Sequence, residues 1–117
     1  MHEMSYVIRF VNMAIETAQS QNAKSVESLV VEVGEMTSVL PMYLHKYYPQ
    51  AIKNTILEGS QLKTIVVKSK VECLSCHAHY HPERSHQYLC PVCQSAMGRI
   101  LEGRDVRLKE VHMTIDD

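Results

Sequence analysis

Met4, Val7, Ile8, Val11, Ile15 and Ala18 recur at steps of three and four residues, with Arg9, Asn12, Glu16 and Gln19 on the opposite side. This period predicts an amphipathic helix that begins almost at the first residue and lays its apolar side on a core. After the polar break at residues 20–24, the run from Val26 to Val33 is rich in β-branched residues. It puts Leu29, Val31 and Val33 on one face, which predicts a strand stopped by Gly34. Thr37 and Ser38 are candidate caps for a second helix with Pro41 in its first turn, continued by Tyr43, Leu44, Tyr47, Ala51 and Ile52. Pro49 lacks an N–H and collides with the carbonyl of His45, so a kink or two short pieces are expected there. Glu58-Gly59-Ser60 reads as a turn and Leu62 to Val71 as a second strand. In the last strand, Val106 to Ile115, the apolar phase changes between Leu108 and Val111, which predicts a bulge near Lys109-Glu110.

The order is helix, strand, helix, strand, cysteine loop, strand. It predicts an α/β (α+β) fold in which two helices cover a three-stranded mixed sheet, with an inserted four-cysteine zinc-ribbon loop. The expected division is an α/β domain of residues 1–70 and 98–117 and a zinc-binding domain of residues 71–97.

Composition and charge narrow the function classes. The 117 residues are 45% hydrophobic, too apolar for disorder, and the formal net charge is −1 with no run of basic residues. Nucleic acid and anionic membranes are bound mainly through clustered cations, so neither is expected as a partner; Arg84 is the only Lys or Arg between Cys73 and Cys93. No apolar stretch is long enough to span a bilayer. The opening Met1-His2-Glu3-Met4-Ser5 lacks the basic and apolar segments of an export signal, so a cytoplasmic location is expected. In that reducing compartment paired cysteines read as metal ligands before disulfides.

Cys73-Leu74-Ser75-Cys76 and Cys90-Pro91-Val92-Cys93 are two CxxC turns. Each can present two thiolates to one ion, and together they close a tetrahedral shell with no position left for water. That is the pattern of a structural zinc site, ahead of iron or a redox dithiol. A loop this polar cannot build a core, so the metal must supply its folding energy. His81-Pro82-Glu83 followed by Cys90 and Cys93 echoes the zinc deaminase signature. Too few residues separate Glu83 from Cys90, Leu89 stands where that signature has proline, and Cys73 and Cys76 would have no role. His77, His79 and His81 alternate and would share one face of a strand. They are read as a solvated face, with a further metal site as the alternative. His45, His86 and His112 are scattered and read as surface or structural histidines.

The N-terminus offers a second donor set. His2 is too bulky for methionine removal, so Met1 is expected to keep a free α-amine. That amine, the His2 amide nitrogen and His2 Nδ1 can close fused five- and six-membered chelate rings on one ion. Planar nitrogen sets of this kind favour Ni(II) or Cu(II).

Met1-His2-Glu3 opening an amphipathic helix, joined to the two CxxC turns, resembles the HypA/HybF family of nickel metallochaperones for nickel–iron hydrogenase maturation, and in some organisms for urease. The resemblance runs through Val31-Glu32-Val33-Gly34-Glu35, Leu57 to Leu62, and Gly103-Arg104-Asp105-Val106-Arg107-Leu108. The chain departs from the family pattern at His77, where glycine is usual, and at Pro49, where a regular helix continues. The resemblance implies that nickel is transported at Met1 and His2, with Glu3 tuning or completing the site. It also implies that Cys73, Cys76, Cys90 and Cys93 hold a structural zinc, and that the protein is not an enzyme. The implied partners are the GTPase HypB, the hydrogenase large-subunit precursor and, where urease is a client, urease accessory proteins. Two rival readings are a nucleic-acid-binding or protein-interaction zinc ribbon and a CxxC redox protein. The first needs a basic face and the second a reactive low-pKa thiol.

Overall fold

The protein is described here by a computed structural model covering residues 3–115. Two compact units divide the chain: residues 1–33, 39–65 and 106–117 form one, and residues 34–38 and 66–105 the other.

In the first unit, α1 (Glu3–Ser20) and α2 (Pro41–Ala51) accompany a mixed sheet of order β2-β1-β6, made from β2 (Gln61–Val67), β1 (Ala23–Gly34) and β6 (Val106–Ile115). The buried stripe of α1 is Val7, Phe10, Val11, Ala14 and Ala18. It is turned relative to the predicted one: Ile8 is 49% exposed, whereas Phe10 and Ala14, which the three-and-four pattern passed over, are inside. The core is completed by Leu29, Val31, Leu44 and Leu57, each fully buried. Each buried leucine contributes on the order of 2 to 3 kcal/mol by leaving water.

Of the kink or two short pieces expected at Pro49, the division into two pieces is absent: α2 is one helix. Pro49 lies in its last turn, so only the His45 carbonyl is deprived of a donor before the helix ends. Leu44 and Tyr48 are buried ahead of it, with Tyr48 stacked on Phe10 at 6.3 Å and its hydroxyl 2.7 Å from Ser60 Oγ. No side chain caps α2; Leu40 is its N-cap and Pro41 supplies the preset first turn, so neither Thr37 nor Ser38 serves. The bulge in β6 is where the apolar phase placed it. Val30 pairs with Glu110 and Val31 with Leu108, leaving Lys109 as the extra residue.

The second unit is wider than residues 71–97 and has a sheet of its own. The run Leu62 to Val71 is not one strand: β2 stops at Val67, and β3 (Lys70–Cys73) belongs to an antiparallel sheet of order β4-β3-β5, with β4 (His79–Tyr80) and β5 (Gly98–Glu102). At the break, Ser69 donates its amide to the Glu35 carboxylate (3.4 Å) instead of to a ladder.

Three backbones meet beside that break. A Cβ on Gly34 would run into the Gly103 carbonyl group, and a Cβ on Gly103, itself at φ +87°, would lie 2.8 Å from Ser69 Cα. Gly103→Ala therefore combines backbone overlap with a left-handed conformation. It is expected to cost about 3 kcal/mol, read as a lower denaturation midpoint of the metal-loaded protein.

Candidate metal centre

Each CxxC turn is built by the same backbone device. The Cys73 amide donates to Ala78 O (2.8 Å) and the His77 amide to Cys73 O (2.9 Å). In the second turn, Cys90 donates to Ser95 O (3.0 Å) and Gln94 to Cys90 O (2.8 Å). The residue after each pair, His77 or Gln94, sits at φ +65°, in the left-handed region that glycine enters without cost. His77 thus holds the glycine conformation without being glycine, at a cost of about 1 to 2 kcal/mol. His77→Gly removes that strain, offset by glycine's extra chain entropy of about 0.5 to 1 kcal/mol. The variant is expected to slow metal loss to a chelator a few-fold relative to the wild type.

The four sulfurs converge. Cys73 Sγ lies 3.5 Å from Cys93 Sγ and Cys76 Sγ lies 3.6 Å from Cys90 Sγ, with all four within 4.8 Å of one another. These separations are far beyond the roughly 2 Å of a disulfide. They match the edge of a tetrahedron about 2.3 Å in radius, roughly 3.8 Å, which is the sulfur–sulfur distance around a thiolate-bound zinc. Cys73 and Cys90 are buried; Cys76 and Cys93 lie at the surface.

The thiols are polarised in alternation. The Cys76 amide, and after it that of Ser75, points at Cys73 and lowers its pKa to about 6 against the cost of burial. The Cys93 and Val92 amides lower Cys90 in the same way. On Cys93 the Ser95 amide pulls downward, yet the Cys73 sulfur, burial and the remaining thiols outweigh it and push the pKa up to about 12. Cys76 is raised too, burial and its neighbours overcoming the pull of the Ala78 amide. Four adjacent thiolates repel one another unless a cation sits among them, so the cluster fits a dication by charge as well as by distance.

Among the described residues the histidines gather no such set, and the four cysteines are the metal-type cluster. His77 Nδ1 and His79 Nε2 face the Glu72 carboxylate at 4.0 and 3.8 Å, while Arg99 already binds that carboxylate at 2.7 Å. His81 turns to Glu35 instead (2.7 Å). Only His79 lies in a strand, so the three do not line one face as predicted. His45 bonds Thr64 (3.1 Å), His86 the Leu89 carbonyl (2.6 Å), and His112 Glu110 (2.7 Å), structural or surface roles in each case. Of the proposed nickel donors, Met1 and His2 lie outside the described residues; Glu3 is the first residue of α1. The sequence reading gave Glu35 no role, although Gly34-Glu35 at the end of a strand was the available signal.

Fold and site together define a small α/β protein with four clustered cysteines, a candidate metal site, in a unit that has a sheet of its own. The chain belongs to the HypA family, described as hydrogenase/urease nickel incorporation metallochaperones, which matches residues 1–113. It is 35% identical to the hydrogenase maturation factor HypA of Methanocella arvoryzae over 98% of this chain and 100% of that one. It is 31% identical to that of Aquifex aeolicus over 99% and 100% of the two chains. The fold matches the solution structure of the Ni metallochaperone HypA from Helicobacter pylori, with a TM-score of 0.76 at 23% identity, covering 99% of this chain and 100% of the other. The family is one of metallochaperones, not of catalytic enzymes. No helix among the described residues is long and apolar enough to cross a membrane.

Proposed function

We propose that this protein carries Ni(II) on Met1 and His2, with Glu3 tuning or completing the site. It delivers the ion to nickel–iron hydrogenase and, where urease is present, to urease. Zinc held by Cys73, Cys76, Cys90 and Cys93 is structural. The observation that carries this reading is the family match, which runs from residue 1 through both cysteine turns. The closed sulfur tetrahedron supports it, because four thiolates leave no exchangeable position there for a transported ion. A carrier must also let go, and a small set of amine, amide and imidazole donors loses nickel when protonated. The partners in this reading are the GTPase HypB, the hydrogenase large-subunit precursor and, for the second client, urease accessory proteins, all in the cytoplasm. Metal analysis of untagged protein after nickel incubation and desalting tests it. One zinc and one nickel per chain are expected; nickel found only by displacing zinc would refute the division of labour.

A further inference from the structure

The unit around the cysteines also contains a cavity of about 380 Å³ that metal binding does not use. Val71, Tyr80, Tyr88 and Ile100 form much of its wall, and Glu35 and Ser69 form a polar end. Ser69 is only 3% exposed, and its Oγ makes no hydrogen bond of normal geometry among the described residues. A buried hydroxyl without a well-formed bond remains open to a donor or acceptor on a ligand in the cavity. Glu35 is anionic at neutral pH: the His81 hydrogen bond lowers its carboxyl pKa, desolvation opposes this, and Ser69 adds smaller downward pulls. Both the His81 and the Ser69 amide bonds use the same oxygen, Oε1.

A ligand for this space must bring positive charge and several N–H donors on an apolar stem. A guanidinium meets that description better than an ammonium. It is planar, weakly hydrated, able to stack on tyrosine, and its donors diverge far enough to reach a carboxylate and a hydroxyl together. We propose that the cavity is a docking pocket for an arginine side chain of a protein partner, with the guanidinium between Glu35 and Ser69 and its stem against Val71 and Ile100. Met36 and Tyr88, 46% and 61% exposed at the lining, are apolar surface that the partner's backbone and neighbouring side chains would cover. The inference is independent of where nickel binds.

The test is a titration of the zinc-loaded full chain, followed through its amide NMR spectrum, with acetyl-Gly-Arg-Gly-amide and its lysine and citrulline counterparts. The arginine peptide is expected to give saturable shifts at Ser69, Tyr80, Tyr88 and Ile100 with a Kd of about 1 to 10 mM, as suits one side chain. Glu35→Gln, which keeps the shape but removes the charge, is expected to weaken it about tenfold. Ala96→Leu, which narrows the lining, should abolish the shifts while the spectrum elsewhere stays folded. Absence of saturable shifts, or equal binding of citrulline, overturns the pocket as a cation site. Lysine binding as tightly as arginine overturns the guanidinium assignment.

Discussion

Cys73→Ala empties the metal centre and unfolds the second unit, while the first unit keeps its helices. The asymmetry follows from where the apolar burial lies. Every buried residue of the hydrophobic cluster, from Val7 to Val106, belongs to the first unit. In the second unit the buried apolar residues are Val71, Cys73 and Cys90, and two of these belong to the cysteine cluster. Strands of two to five residues cannot hold together on one valine, so the metal must supply about 10 kcal/mol of folding energy. Removing one thiolate opens the shell and leaves the other three without a compensating charge. The expected result is less than one zinc per ten chains after desalting, and loss of dispersed amide signals from residues 66–105. The helical circular dichroism of α1 and α2 should remain. Cys93→Ala should behave the same way although Cys93 is at the surface, because coordination rather than packing is what is lost. Retention of zinc and of dispersed signals in either variant would refute a metal-held unit.

The second large effect changes no side chain. A Gly-Ser extension before Met1 converts the α-amine into an amide, and the new terminal amine lies too far along the chain to close the same five-membered ring. His2, Glu3 and the cysteines are untouched. Nickel affinity is expected to fall by at least about tenfold, roughly 1.4 kcal/mol. A planar, diamagnetic nickel signature should give way to weaker six-coordinate binding through the imidazole. His2→Ala should cost at least as much, with zinc content and fold unchanged. Equal affinity and identical spectra for extended and unextended protein would exclude the amine as a donor. If affinity also survived His2→Ala, the exposed His77 and His79 beside Glu72 would become the nickel candidates.

What could be read in the chain was whatever depends on spacing along it. The apolar period of α1, the β-branched run of β1 and the phase change at Lys109 are local patterns, and each reappears as an element or a bulge. The two CxxC turns were legible for the same reason, since a chelating turn needs only four consecutive residues. Pro49 does not divide α2, because it falls in the last turn, and a helix-breaking rule carries no information on how close the end of the helix is.

The sequence by itself therefore determined the order of helices and strands in the first unit, the pairing of four cysteines into two turns, and the family. The tertiary structure decided what depends on residues distant in the chain. Phe10, not Ile8, faces the core because Tyr48 is there to stack on it. The predicted second strand divides at Ser69 because Glu35, 34 positions earlier, takes the Ser69 amide and the Gly34–Gly103 contact occupies the adjoining space. His81 leaves its histidine neighbours for the same carboxylate. Periodicity carries no information about such partners, because a hydrogen bond or a steric overlap is set by distance in space and not by separation along the chain.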